Sequence, residues 1–92
     1  MSALASCVFE HESTDDWTIN TGNGFMGGFQ FEPSTWDEAT ADMGEDWPLS
    51  SDPQDPLAGS VVATPAEQVA VFDYWEPGHR LAWPVTVPEC GG

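Results

Sequence analysis

The chain has two cysteines, Cys7 and Cys90, and they stand at opposite ends of its 92 residues. If they pair, the bond closes nearly the whole chain into one loop, a restraint on the unfolded state of about 4 to 5 kcal/mol less any native strain. Pairing would also point to an oxidising compartment. The alternative is a pair of free, buried thiols; neither cysteine has neighbours that could make a local metal knuckle. A chain of this length makes one domain, residues 1–92, and domains this small bury a modest fraction of their surface and often need a staple. Five Trp and five Phe supply bulky anchors for a small core.

Charge narrows the partners. Sixteen acids face one Arg and no Lys, a formal net charge of −15. Such a surface repels phosphate backbones, which nucleic-acid binding must neutralise with Lys and Arg, so nucleic acid and anionic membranes are not expected as partners. Abundant acids with almost no Lys or Arg suit a salt-rich habitat, where screening shortens the reach of self-repulsion. No apolar run approaches the roughly 20 residues that span a bilayer. The start, Met1 to Cys7, lacks a basic region and a long apolar segment, so no signal peptide is expected. Leu4-Ala5-Ser6-Cys7 has the form of a lipoprotein cleavage box without the hydrophobic segment that would precede one.

Local signals predict an α+β, mainly helical domain with about three helices and a short hairpin. Ser2 caps a first helix from Ala3 to about Glu12, with Leu4, Ala5, Val8 and Phe9 as its apolar stripe. Ser13 to Asp16 offer side chains that compete for the backbone and end it. Trp17 to Phe31 reads as a glycine-punctuated hairpin turning at Asn20-Thr21-Gly22-Asn23-Gly24. Pro33 and Ser34 open a second helix to about Asp42, with Ser34 and Asp37 in a capping-box pattern. Residues 44–60, rich in Pro, Asp, Ser and Gly, form an exposed loop. Thr64-Pro65-Ala66-Glu67 is the clearest start signal in the chain, opening a helix with Ala66, Val69, Phe72 and Trp75 inward and a stop at Pro77-Gly78. Leu81 to Val85 then pack apolar groups before Cys90.

Chemistry concentrates between Glu10 and Phe31. A Glu12 carboxyl half-buried against an aromatic such as Trp17 would have its charged form disfavoured, which is how a Glu becomes a general acid near neutral pH. Gly22, Gly24, Gly27 and Gly28 allow close backbone approach, while Asn20, Thr21, Asn23 and Gln30 match sugar hydroxyls and N-acetyl groups. Trp17 and Phe25 offer flat faces for sugar rings. Equally, the same pattern can build a plain structural hairpin, and most acids in so acidic a chain are solvated.

Taken in order, Glu12-Ser13, Trp17, Ile19 to Gly24, Gly27 to Phe31, Ser34-Thr35-Trp36, Ala66 to Val71 and Trp83-Pro84-Val85 resemble the catalytic domain of the resuscitation-promoting factors, a branch of the lysozyme-like transglycosylase superfamily. The resemblance runs from about Leu4 to Cys90, interrupted mainly at 44–60. It implies that Glu12 is the catalytic acid, because the spacing to Trp17 matches the family's Glu-Ser-Gly-Gly-Asn-Trp, and that Thr21 and Gln30 are cleft residues. Trp17, Asn20, Asn23 and the Gly27–Gly28 backbone complete the expected substrate contacts, and Cys7 and Cys90 the terminal disulfide. The implied substrate is the glycan of peptidoglycan, cut at the β-1,4 bond between N-acetylmuramic acid and N-acetylglucosamine with neither cofactor nor metal. The product is 1,6-anhydro if the substrate's own groups complete the step, and reducing-ended if water does. A monomer, alone or joined to a wall-targeting module, acting outside the cell, in the cell wall or within a phage particle or lysin, follows from the same resemblance.

This chain departs from the pattern at three points. Thr14-Asp15-Asp16 replaces Gly-Gly-Asn, adding two charges beside Glu12; Cys7 lies five residues before Glu12, not next to it; and −15 is an awkward charge for approaching an anionic wall. The competing expectations are a catalytically inactive peptidoglycan-binding module and a purely structural surface or virion domain. Asp16 is the remaining plausible second carboxylate. Glu10 is the other candidate acid, although it points about 200° around the helix from Glu12. Trp36 and Trp83 are expected as core anchors. His11 and His79 are too far apart in sequence to suggest a metal site, and Arg80 is expected to pair with surface acids.

Overall fold

A computed structural model describes residues 1–78 and 83–91. His79, Arg80, Leu81 and Ala82, for which a surface ion pair and apolar packing were expected, lie outside the described residues. The fold is mainly helical, in the order α1 (Ala3–Ser13), α2 (Pro33–Met43), a 3-10 turn (Pro56–Ala58), α3 (Pro65–Trp75), a second 3-10 turn (Glu76–Gly78) and α4 (Thr86–Glu89). None of the described helices is long and apolar enough to cross a membrane.

Helix α1 begins where its cap predicts: Ser2 Oγ accepts from the Ala5 N–H at 3.0 Å. It buries Ala5, Val8 and Phe9 and ends when Ser13, itself buried, turns its hydroxyl back to the Phe9 carbonyl at 2.8 Å. Thr14 and Asp15 then follow with φ of 52° and 66°. The left-handed region costs a residue with a β-carbon about 1 to 2 kcal/mol, so the substituted turn keeps a backbone that glycine would adopt freely. Asp16 holds the exit, its N–H on Ser13 Oγ and its Oδ1 accepting from the Thr18 N–H and hydroxyl.

The segment from Trp17 to Phe31 pairs by isolated bridges instead of a regular hairpin. Met26 bridges Asn20 on one side and Phe31 on the other, and no extended strand forms among the described residues. The physical reason is local. Gly22, Gly24 and Gly27 all adopt positive φ, and the Asn20 and Asn23 side chains accept from the N–H groups of Gly22 and Phe25, diverting the backbone from a ladder.

Helix α2 starts two residues earlier than its capping pattern suggested. Pro33 occupies the first turn, and the residue before a proline is pushed to extended geometry, so Glu32 becomes the cap position. Ser34 therefore lies inside the helix, donating to the Glu32 carboxylate at 2.9 Å. Gly44, at φ 74°, ends the helix. Residues 44–60 are exposed over most of their length, yet Leu49 and Ser50 are buried, Ser50 bridges Val61, and the Trp47 carbonyl accepts the Trp36 indole N–H.

Helix α3 carries the full reciprocal cap, with Glu67 N–H to Thr64 Oγ1 at 3.1 Å and Thr64 N–H to Glu67 Oε1 at 2.8 Å. Its inner face differs from the expected one. Phe72 and Trp75 are buried, but so are Gln68 and Val71, while Ala66 is exposed and Val69 only half-buried. Across the core, Phe29 stacks on Phe72 at 4.4 Å, and Trp83 meets Phe72 and Phe31 edge-on at 4.8 and 5.3 Å. Trp36 and Trp83 are thus core anchors, and the Trp83 indole donates to the Phe29 carbonyl. The short α4, absent from the sequence reading, is tied to α1 by the Cys7–Cys90 disulfide across a separation of 83 residues.

Between α3 and α2 the exposed phenol of Tyr74, the chain's single tyrosine, donates to Asp42 Oδ2 at 2.9 Å. That hydrogen bond, followed by desolvation and the carboxylate's charge, raises the phenol above its ordinary value of 10.0. Because the folded value is the higher one, the contact's contribution is fully present below the unfolded pKa and is lost as pH rises through the folded one. Ultraviolet titration should therefore show tyrosinate forming later than in an unfolded chain, and Asp42→Asn should move it back toward the ordinary value.

Candidate active site

Three parts of the chain meet in one open cleft of about 400 Å³, lined by Glu12, Asn23, Phe25, Gln30, Trp83, Pro84, Val85 and Thr86. Helix α1 delivers Glu12 from its last turn. The bridged segment delivers Asn23, Phe25 and Gln30, and the C-terminal stretch closes the opposite wall. Glu12 is half-buried, and its Oε1 accepts from the Thr86 hydroxyl at 2.6 Å. Among the described residues it is the single carboxylate in this lining. Phe25 keeps 42% of its surface exposed, a flat apolar face beside polar amides.

Gln30 is a constrained wall residue. Its backbone is left-handed at φ 53°, and its side-chain amide donates to the Gly27 carbonyl at 2.9 Å. This tight loop turns the Gln30 side chain into the wall and leaves its carbonyl oxygen without a hydrogen bond among the described residues.

Other expected contacts lie elsewhere. Trp17 stacks on Phe9 at 4.0 Å and meets Phe29 edge-on, so it anchors the core behind the cleft. Asn20 donates to the carbonyls of Leu57 and Gly59, fastening the 44–60 segment to the wall. Thr21 is exposed and outside the lining. Gly27 and Gly28 are buried and face inward: a β-carbon on Gly28 would lie 2.7 Å from the Phe9 ring, and one on Gly27 would lie 2.7 Å from Gln68 Oε1. Their glycine requirement is one of packing, with positive φ at Gly27 besides. Glu10 is exposed and Asp16 is engaged with Thr18, and neither lines the cleft.

Two residues in the architecture were missed. Gln68 is buried and fully engaged: Oε1 accepts from the Gly28 N–H at 2.7 Å, and Nε2 donates to the carbonyls of Trp17 and Ala63. It pins both ends of the wall segment to α3. The available signal was an uncharged polar residue amid the apolar face of a well-capped helix. Thr86 had no comparable signal, since it meets Glu12 across 74 residues. His11 lies within 4.8 Å of both cysteine sulfurs, but these are bonded to one another and offer no thiolate.

A family model described as a transglycosylase-like domain matches residues 2–85. Among curated relatives, resuscitation-promoting factor Rpf2 of Corynebacterium glutamicum is 61% identical over 33 residues, 36% of this chain and 8% of the relative. Resuscitation-promoting factor RpfB of Mycolicibacterium smegmatis is 54% identical over 35 residues, 38% of this chain and 9% of the relative. A longer match, to resuscitation-promoting factor RpfC of Mycobacterium tuberculosis, is 41% identical over 61 residues, 66% of this chain and 40% of the relative. The matched stretch thus spans less than a tenth of the first two relatives and under half of the third.

Proposed function

The chain belongs to the transglycosylase-like domain family, and from that membership and the lone cleft carboxylate we propose that it cleaves peptidoglycan glycan strands. The bond is the β-1,4 linkage between N-acetylmuramic acid and N-acetylglucosamine. Glu12 donates a proton to the leaving oxygen and then accepts one as base. With no second carboxylate among the described residues lining the cleft, the substrate's own N-acetyl and 6-hydroxyl groups complete the step, giving a 1,6-anhydro end. Water attacking instead would give a reducing end. Asn23 and Gln30 hold sugar amides and hydroxyls, and Phe25 lies against a ring face. Trp17, Asn20, Gly27 and Gly28 serve the same site by building the wall, and exposed Thr21 remains a candidate contact for a longer glycan. The enzyme works as a monomer outside the cell or in the cell wall, where the disulfide is stable.

The observation that carries this reading is the position of Glu12, half-buried in a cleft that it shares with neutral polar and aromatic side chains. One observation favours a second reading, an inactive glycan-binding module: Asp15 and Asp16, two of the sixteen acids behind the net charge of −15, follow Glu12 closely in the chain. Mass spectrometry of purified peptidoglycan incubated with the protein at low and high salt separates the two. Soluble fragments lighter by one water indicate a lytic transglycosylase and reducing-ended fragments a muramidase. Glycan retention without any fragment release would replace the enzyme with the binding module.

A further inference from the structure

We propose that Thr86 is a positioning residue for Glu12, its hydroxyl holding one carboxylate oxygen so that the other is presented to the substrate. This rests on the function proposed above and adds to it a residue that comes from the opposite end of the chain. The Thr86 Oγ1 to Glu12 Oε1 contact is 2.6 Å, and both residues line the same cleft. Oε2 makes no hydrogen bond among the described residues, which leaves it as the oxygen that gives and takes the proton. A hydroxyl that donates to a carboxylate makes a short, charge-assisted bond, stronger than a neutral one.

The donor itself is fixed from both sides. Three residues before Thr86, Trp83 is buried and its indole donates to the Phe29 carbonyl at 2.8 Å. One residue after it, Val87 is 1% exposed, and its N–H returns to the Trp83 carbonyl. Four residues after it, Cys90 donates its N–H to the Thr86 carbonyl at 3.0 Å and is bonded to Cys7 on α1, the helix that carries Glu12. The hydroxyl therefore belongs to a short helix clamped between the aromatic core and the acid's own helix. A Glu in a terminal helical turn would otherwise sample several rotamers. Proton transfer requires the acid within about 2.6 to 3.2 Å of its target, so the restraint acts on the step that the acid performs.

The test compares Thr86→Val, which keeps the branched shape without the hydroxyl, with Thr86→Ser, which keeps the hydroxyl. On soluble glycan strands Thr86→Val should lower kcat roughly 10- to 100-fold, the scale expected when a reacting group is misplaced by about 1 Å, with KM unchanged. Thr86→Ser should restore the rate. In carboxyl-labelled protein the Glu12 carbon resonance, assigned by its loss in Glu12→Gln, should move in Thr86→Val and stay in place in Thr86→Ser. If Thr86→Val does not fold, Thr86→Ala carries the same expectations. Wild-type kcat in the variant lacking the hydroxyl, or an unmoved Glu12 resonance, overturns the positioning role. If the wild-type protein releases no fragments at all, the enzyme reading falls, and the resonance comparison alone decides whether Thr86 holds Glu12.

Discussion

Replacing Glu12 by Gln should lower the rate of glycan cleavage by about 10²- to 10⁴-fold, the usual worth of a positioned general acid or base, and leave the thermal midpoint close to wild type. Gln preserves the length and shape of the side chain, and its carbonyl can still accept from the Thr86 hydroxyl, so the wall should remain intact. What it loses is the exchangeable proton. Among the described residues Glu12 is the single carboxylate of this cleft's lining; Glu32 lines the adjoining hollows beyond Phe25 and Gln30, Asp16 Oδ1 is occupied by Thr18, and Glu10 stands outside on the exposed side of α1. The comparison is release of soluble fragments by wild type, Glu12→Gln and Asp16→Asn, with thermal melts of each. Asp16→Asn should remain near wild type in rate. A Glu12→Gln protein that keeps most of the activity would remove Glu12 as the acid.

Opening the disulfide should have the largest effect on stability. Joint replacement of Cys7 and Cys90 by Ser should lower the unfolding free energy by about 4 kcal/mol, from the loop-entropy relation applied to a crosslink spanning almost the whole chain. Domains of this kind are stable by only about 5 to 15 kcal/mol, so the loss is a large share of the whole. Urea titrations of the two proteins, read by tryptophan fluorescence, give the difference directly from the midpoints and slopes. A loss below about 1 kcal/mol would mean that the unfolded chain is already restrained, or that native strain offsets the crosslink. The C-terminal segment is also held by Trp83, buried against Phe31 and Phe72, so the variant should remain folded in mild conditions.

The local rules of the chain proved readable where one signal acts alone within a turn or two. Ser2 starts α1, and the Thr64–Glu67 pair starts α3, because a cap is a hydrogen bond between residues three apart. Pro33 also marked α2, although its effect on Glu32 outweighed the Ser34 signal. The expected hairpin over 17–31 is reduced to single bridges because several neighbouring residues, each with a turn preference of its own, sit within one short segment.

From the sequence alone came the mainly helical class, the starts of α1 and α3, the choice of Glu12 as candidate acid and, through the family resemblance, the pairing of Cys7 with Cys90. The tertiary structure decided which side chains meet. It placed Asn23, Phe25 and Gln30 with Glu12, withdrew Trp17 and the paired glycines into the core, turned Gln68 inward and brought Thr86 to the acid. Gln68 reaches Trp17 across 51 residues and Thr86 reaches Glu12 across 74. Contacts at such separations leave no periodic trace in the chain, because they depend on how packed helices and the disulfide set distant backbone segments side by side.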